Sequence, residues 1–163
     1  MSHIEKSVYV DKALSFAQGL AFRYRHEFIT PEHILSALFN QDPFVEAVEE
    51  CFCHIPVMEE EVDEYLAQKM EQVPEDTHYE LQFSAQSNLL FQNAYAFVES
   101  SNAEVLDIPH VVQAMLLLPD SWACYFLKKH LKERIPDFIS QLVVIYGDDL
   151  SLEENDSEES HGP

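Results

Sequence analysis

Glycine is scarce in this sequence, and its scarcity limits the kinds of site that the chain can build. The 163 residues contain three glycines, Gly19, Gly147 and Gly162, so the stretch between the first two has none to support left-handed turns or phosphate-binding loops. The nucleotide-binding pattern G-x-x-x-x-G-K-[ST] is absent, because no glycine is followed by lysine. We therefore expect no cofactor site in this chain, and helices joined by short polar turns.

Basic residues are also few. Nine Lys and Arg residues against 30 Asp and Glu residues give a formal net charge of −21. A surface this acidic repels nucleic-acid phosphates and anionic membranes, and its natural complement is a basic protein surface. The longest apolar runs, such as residues 114–119 and 142–146, are too short to cross a bilayer. These features argue against nucleic acid and membrane as partners and favour proteins.

The three cysteines, Cys51, Cys53 and Cys124, cannot all pair within one chain, and the N-terminal segment lacks the apolar stretch of a signal peptide. We therefore predict a reducing, cytoplasmic environment. The run from Cys51 to His54 superficially suggests a metal knuckle, but residues two apart on a helix point to nearly opposite sides, so we expect buried thiols and no metal. A small helical hydrolase that uses Cys51 or Cys124 as its nucleophile remains a rival interpretation.

Apolar residues recur every three or four positions along most of the chain, which predicts an all-α protein. The predicted helices are 10–25, 31–40, 42–53, 56–70, one capped by Ser84, one with Pro109 in its first turn, one capped by Asp120 or Ser121 and continuing through Leu127, and 135–146. Residues 71–82 have no clear period and are expected to form a linker.

The sequence also repeats itself. A shift of 77 residues aligns residues 13–38 with 90–115 without a gap and keeps the apolar positions in register. Four aligned pairs are identical: Ala17 and Ala94, Glu27 and Glu104, His33 and His110, Ala37 and Ala114. Thr30 falls opposite Asp107, and either residue can cap a helix. One helical unit has therefore been duplicated.

The same shift places Val62 opposite Ile139 and Leu66 opposite Val143, which extends the duplication to four helices in each copy. Two such units would bury each other's open faces. We therefore predict two pseudo-symmetric four-helix repeats packed into one domain.

The predicted domain spans residues 1–147, with one repeat at about 8–70 and the other at about 84–146. Residues 148–163 contain seven acidic residues and no lysine or arginine. Such a segment is typical of a flexible linker or tail.

His33 and His110 occupy equivalent helix starts. A ring nitrogen there would satisfy a first-turn amide or bridge the two repeats. A catalytic or metal role is the alternative, but neither histidine has a second histidine or a carboxylate four residues later on the same helix. We therefore expect these two residues to be structural.

Two segments resemble a known family, the duplicated N-terminal domain (Clp N domain) of Clp-type AAA+ unfoldases, and most of all its ClpA-type members. Residues 25–38 read RHEFITPEHILSAL, similar to the family signature HEFxTxEHLLxAL, and residues 46–51 read EAVEEC, similar to EALEAC. The resemblance covers roughly residues 5–146. The second repeat departs further, with IPHVV at residues 108–112 where the family often has xEHLL.

The resemblance implies a binding domain rather than an enzyme. In the family this all-α domain sits on a flexible linker above a hexameric ATPase ring that feeds a ClpP-like peptidase, and in ClpA-like proteins it docks the adaptor ClpS. We therefore expect a domain, monomeric in isolation, that recruits an adaptor or substrate proteins. ATP and Mg²⁺ are expected only in ATPase modules outside this chain, which is either a piece of a longer protein or a stand-alone relative. Direct binding of unfolded polypeptide, as in the related disaggregases, is the alternative function.

By the same resemblance, four residues match family positions that face the adaptor, and we take them as the predicted partner-binding residues: Glu27, Glu32, Cys51 and Ser84. A plain surface role is the other interpretation. If Glu32 faces a partner, Glu32→Lys should weaken adaptor binding and leave the melting temperature nearly unchanged.

Overall fold

Helices make up most of the computed structural model, which describes the backbone of residues 3–160 and the side chains of residues 3–148. The helices are α1 (Val8–Arg23), α2 (Pro31–Leu38), α3 (Asp42–Glu50), α4 (Ile55–Glu64), α5 (Ala85–Ser100), α6 (Ile108–Met115), α7 (Trp122–Leu131) and α8 (Ile135–Ser160). A π-helical turn, Tyr65–Lys69, extends α4, and a 3₁₀ turn, Lys132–Arg134, precedes α8. The predicted all-α class is confirmed.

Helix α8 is longer than the sequence pattern suggests. Its backbone continues to Ser160, where the apolar spacing predicts an end near Tyr146. The side chains beyond Asp148 and the last three residues, 161–163, lie outside the part of the chain that the structure describes. The acidic tail as a flexible tether therefore stays a prediction.

Four strands of two residues each join the repeats, and the sequence pattern does not predict them. The strands are β1 (Glu5–Lys6), β2 (Phe28–Ile29), β3 (Gln82–Phe83) and β4 (Val105–Leu106). Strand β1 pairs in parallel with β4, and β2 pairs in parallel with β3. Each pair contains one strand from each repeat, so backbone hydrogen bonds join the two halves at two places.

Equivalent residues cap the first helix of each repeat. The Ser7 hydroxyl accepts a hydrogen bond from the Val10 amide, and the Ser84 hydroxyl accepts one from the Ser87 amide, both at 3.1 Å. A serine cap of this kind satisfies one of the free amides in the first helical turn. Helices α1 and α5 each have 16 residues, and α2 and α6 each have eight, which confirms the duplication in this part of the chain.

The shift between the repeats changes after α6. Three residues separate α2 from α3, but six separate α6 from α7, so the offset grows from 77 to 80. Backbone angles show the same change. Arg25 and Asn102, at an offset of 77, share a positive φ of 58°, and Phe52 and Lys132, at an offset of 80, have φ of 57° and 52°. The four non-glycine residues with positive φ are thus two equivalent pairs within the described chain.

This change corrects part of the predicted alignment. At an offset of 80, Val62 is equivalent to Leu142 and Leu66 to Tyr146, and all four side chains are fully buried. The predicted counterpart of Leu66, Val143, is 52% exposed. The prediction was wrong because a single shift was carried across an insertion that the sequence pattern does not reveal.

The last two helices of each repeat pack across the molecule as well as within it. Helix α3 lies against α8, where the rings of Phe44 and Phe138 meet edge to face at 5.7 Å. The side chain of Gln41 connects the same region, because its amide donates to the Tyr9 carbonyl at 2.8 Å and its oxygen accepts from the Tyr146 hydroxyl at 2.6 Å. The core is therefore continuous through both repeats.

Lys132 provides a test of the backbone geometry. Its φ of 52° and ψ of −127° lie in a region that glycine adopts readily, whereas a residue with a Cβ is strained there. We expect Lys132→Gly to raise the free energy of unfolding by about 1 kcal/mol, because relief of strain outweighs the added freedom of the unfolded chain. Urea denaturation measures the change, and Lys132→Ala, which keeps the Cβ, is the control. Equal stability of the glycine and alanine variants would contradict the strain.

Candidate functional site

The four predicted partner-binding residues do not form one surface. Glu27 is exposed, and its carbonyl accepts a hydrogen bond from the Gln82 amide beside strands β2 and β3. Ser84, half-buried, caps α5 at the other end of the same strand pair, where its amide donates to the Ile29 carbonyl at 3.0 Å. Glu32 and Cys51 are only 2% and 4% exposed. Of the four, Glu27 presents the most accessible charge.

Glu32 joins the two repeats. Its Oε2 accepts a hydrogen bond from the Ser121 hydroxyl at 2.7 Å and another from the Ala123 amide at 2.9 Å, so the carboxylate caps the first turn of α7. A carboxylate at this place also complements the positive end of the helix dipole. Burial raises the pKa of Glu32, and the bonds from Ser121 and Ala123 act in the opposite direction. In this conformation Glu32 holds the start of α7 and is not available to a partner at the surface.

Cys51 lies at the C-terminal end of α3. Its carbonyl accepts a hydrogen bond from the Arg134 guanidinium at 2.5 Å, and burial raises the pKa of its thiol and of the Cys53 thiol. The third thiol, Cys124, is also buried and lies 3.4 Å from the Leu116 carbonyl. Buried thiols with raised pKa values are poor nucleophiles, which argues against a hydrolase that uses Cys51.

The two equivalent histidines act as helix caps. The Nδ1 atoms of His33 and His110 accept hydrogen bonds from the amides of Thr30 and Asp107, at 2.9 and 3.0 Å. Histidine thus takes the place of the Glu or Gln that completes a capping box. The structural interpretation of these two residues agrees with this geometry.

His33 continues into a buried chain of hydrogen bonds. Because its Nδ1 accepts from Thr30, its proton lies on Nε2, which donates to Nδ1 of His26 at 2.8 Å. His26 then carries its own proton on Nε2, a buried atom without a hydrogen-bond partner among the described residues. Burial lowers the pKa of His26, and burial together with the nearby His26 lowers the pKa of His33 to about 3. Both rings are therefore neutral near pH 7.

A groove opens where α4 and its π-helical turn face α7. It is lined by Phe126, 6% exposed, and by the rings of Tyr65 and Trp122, which contact each other with their centroids 5.8 Å apart. This hollow encloses about 410 Å³. Its charged lining residues are Glu61, Glu64, Lys69 and Lys129.

A second hollow of about 520 Å³ continues from the first. Tyr65 and Lys69 line both, and the second hollow adds Glu27, Phe28, Met70 and residues 71–74 of the predicted linker. The linker is held in place by Arg25, whose Nε donates to the Val73 carbonyl at 2.9 Å. We call the two hollows together the aromatic groove. The sequence identified one of its residues, Glu27, as a partner-binding residue.

An ion pair fixes the distance between the two walls of the groove. Glu61 on α4 binds Lys129 Nζ at 2.6 Å and His130 Nε2 at 2.9 Å, both on α7. Hydrogen bonds from Lys129 and His130 lower the pKa of Glu61. The pair is exposed enough for solvent to weaken it, so it fixes geometry more than it adds stability.

The rings of α7 have no equivalents on α3. At an offset of 80, Asp42 and Glu46 of α3 stand in the places of Trp122 and Phe126 of α7, and Phe44 packs against Phe138 of α8. Both acidic side chains are exposed to solvent. The pair of Trp122 and Phe126 is thus a feature of the second repeat that the first repeat lacks. Its rings were missed because each fits an ordinary apolar helix stripe.

The described residues contain no group of three or more His, Cys, Asp and Glu side chains placed to hold a metal ion. Likewise, no helix of the described chain is both long and apolar enough to span a membrane. What the aromatic groove can do chemically is bind, because it combines apolar rings with carboxylates at its edge.

The role of Glu32 can be tested by stability. We expect Glu32→Ala to lower the free energy of unfolding by about 2 kcal/mol, because it leaves the Ser121 hydroxyl and the Ala123 amide without their acceptor. Glu32→Gln keeps an acceptor and removes the buried charge, so it should be no less stable than the wild type near pH 7. Because Glu32 is buried, the earlier expectation for Glu32→Lys changes. The variant places an ammonium group in the interior, so its melting temperature should fall. Thermal and urea unfolding measure all three, and a fully stable Glu32→Ala variant would refute the assignment.

The buried histidines should make the fold sensitive to mild acid. Since the pKa of His33 is lowered to about 3 in the folded state, its contribution is complete above the ordinary histidine pKa, about 6.5, and is lost as pH falls towards 3. The loss reaches at most about 1.4 kcal/mol per pH unit for one group. Urea unfolding at pH 7.5 and 5.5 measures it. His33→Gln, which keeps the capping box, should show a shallower dependence; an unchanged slope would count against this.

Comparison with known proteins agrees with this architecture. Residues 7–130 match the model of a family described as the Clp repeat (R) N-terminal domain. The structure is similar to the N-terminal domain of Hsp104 from Candida albicans, with a TM-score of 0.73, 17% identity, and 88% of this chain and 92% of that chain covered. The N-domain of ClpV from Vibrio cholerae gives a TM-score of 0.62 and 18% identity, with 91% and 94% covered.

A third similar structure contains a bound peptide. It is a complex of a ClpV N-domain with a VipB peptide, with a TM-score of 0.57, 18% identity, and 86% of this chain and 96% of that chain covered. At such identities the structures establish a shared fold. The family model, which covers more than half of the sequence, confirms the resemblance seen in residues 25–38, and this chain belongs to the Clp repeat N-terminal domain family.

Proposed function

We propose that this domain recruits protein partners, an adaptor of the ClpS type or substrate proteins, to a Clp-family ATPase that unfolds them. The observation that carries the proposal is the aromatic groove, an open surface that combines apolar rings with carboxylates at its border. A net charge of −21 attracts basic protein surfaces and speeds their association. The fold supports the same role, because a similar structure is the complex of a ClpV N-domain with a VipB peptide.

The mechanism is binding and tethering. A partner held on this domain has a high effective concentration at the ATPase to which the domain is joined, and the reach of the tether sets that concentration. Transfer to a ClpP-like peptidase would follow in a protease complex. We propose the ATPase, the peptidase and a cytoplasmic location together with the recruiting function.

Direct capture of unfolded polypeptide is a second candidate, favoured by exposed aromatic rings in the groove and beside it. Trp122 in the groove is 49% exposed, and Tyr125 beside it is 51% exposed, with the two ring centroids 5.4 Å apart. Large exposed apolar patches commonly mark sites that bind other proteins. The two candidates differ in whether an adaptor is needed.

Glu27 gives a matched test of the recruiting function. It borders the aromatic groove, whereas its equivalent in the second repeat, Glu104, is equally a surface residue but does not line the groove. We expect Glu27→Lys to weaken binding of a ClpS-type adaptor about tenfold in a calorimetric titration, and Glu104→Lys to leave it within about twofold. Each variant changes the charge equally, so a general electrostatic effect would appear in both.

The same titration separates the two candidates. Unfolded casein, tested with and without the adaptor, should bind poorly alone if the adaptor is required. Tight binding of casein alone, with no adaptor binding, would favour direct capture. Binding of neither protein to the wild-type chain would overturn the recruiting function.

A further inference from the structure

The aromatic groove has the chemistry of a site for one large apolar side chain. Tyr65, Trp122 and Phe126 contact one another as one aromatic cluster, with centroid distances of 5.8, 6.0 and 6.3 Å and no pair stacked face to face. The cluster lines a hollow of about 410 Å³. A hollow of this size beside aromatic rings suits an aromatic or long aliphatic side chain.

The border of the groove is acidic. Glu27, Glu64 and Glu71 line it, are exposed, and form no ion pair within the described chain, whereas Glu61 is paired with Lys129. Lys69 is the one unpaired cation among the lining residues that the structure describes. Three free carboxylates against one ammonium favour a positively charged ligand.

The backbone at the centre of the groove is unusual. Residues Tyr65–Lys69 form a π-helical turn, whereas the equivalent residues of the second repeat lie within regular α8. Short π-helical segments inside helices frequently occur at functional sites. Tyr65 and Lys69, the ends of this turn, are the two residues shared by both hollows.

From these observations we propose that the aromatic groove binds a short segment of a partner protein that carries one aromatic or long aliphatic side chain flanked by lysine or arginine. The apolar side chain packs into the hollow beside these rings, against Tyr65, Trp122 and Phe126. The flanking cations lie against Glu64 on one side and Glu27 and Glu71 on the other. The inference rests on the recruiting function proposed above and specifies the chemistry of what is recruited.

The flanking lysine or arginine side chains can also contact the indole ring of Trp122, which is 49% exposed. A guanidinium or ammonium group over an indole ring gains further attraction, which is strongest for tryptophan among the aromatic residues. A neutral or acidic segment would lack both interactions and would meet the repulsion of the free carboxylates. Selection by the groove is therefore for charge as much as for apolar surface.

Trp122 is the single tryptophan of the chain, so its fluorescence reports directly on the groove. The probe is a short acetylated peptide with one phenylalanine between pairs of lysines, which adds no tryptophan emission. On titration into the whole chain, we expect the Trp122 emission to move to shorter wavelength and to be protected from acrylamide. Two control peptides, one with glutamate for every lysine and one with alanine for the phenylalanine, should each bind at least about tenfold more weakly.

Charge reversal on the protein completes the test. Glu64→Lys, an exposed change at the edge of the groove, should weaken binding of the lysine peptide and improve that of the glutamate peptide. Glu99→Lys on α5, an exposed acid that does not line the groove, should alter neither. Circular dichroism confirms that both variants are folded.

The outcomes separate this inference from the recruiting function. If the adaptor or casein binds the chain while Trp122 emission and acrylamide quenching stay unchanged for every peptide, the recruiting function stands and the groove inference is wrong. If the lysine peptide binds at Trp122 with the expected selectivity but neither adaptor nor casein binds, the groove inference stands and the recruiting function is wrong. Equal binding of the lysine and glutamate peptides would refute the charge selection.

Discussion

The exchange of strands between the repeats is the constraint on which the rest of the structure depends. A two-residue strand has no stability of its own, and here each one is paired only by a strand from the other half. The caps of α1 and α5 continue this exchange, since the Ser7 amide donates to the Leu106 carbonyl at 2.8 Å and the Ser84 amide to the Ile29 carbonyl at 3.0 Å. Separating the repeats would leave these backbone groups unpaired, so the two halves fold as one body.

Polar side chains at helix ends also join the repeats, and equivalent positions in the two repeats make different contacts. On one side Glu32 of α2 caps α7 through Ser121, and on the other the equivalent positions are Pro109 and Gln41. Gln41 instead connects α1 and α8 through Tyr9 and Tyr146. Two unrelated sets of polar contacts therefore hold equivalent helices. Because Trp122 is the first residue of α7, the contact at Glu32 also places one wall of the aromatic groove.

The sequence was informative where one residue type at one spacing determines a local structure. Serine caps, prolines in first turns and the paired histidines located the helices and the duplication, and the family signature pointed to the correct fold. The four strands were not predictable, since two residues are too few to show a period of two. The changed offset was missed because residues 116–121 look like an ordinary connection.

The candidate site was harder to predict for a different reason. Glu32 resembles a surface residue in sequence, because a glutamate in a first helical turn is usually exposed, and only the approach of α7 buries it. Tyr65 fits an ordinary apolar helix stripe, since nothing local shows that its ring borders a hollow between α4 and α7. Both errors concern contacts between elements about 60 to 90 residues apart in the chain, which helical periodicity does not encode.

Divergence of the two repeats also has a consequence for how many copies of one ligand the domain can hold. A duplicated body with two equal halves would offer the same surface twice and would take up two identical ligands per chain. Here the first repeat supplies Tyr65 and the π-helical turn and the second supplies Trp122 and Phe126, while Asp42 and Glu46 stand at the counterpart positions of α3. The rings of the aromatic groove are therefore not repeated, and a ligand that needs them would bind once in each domain.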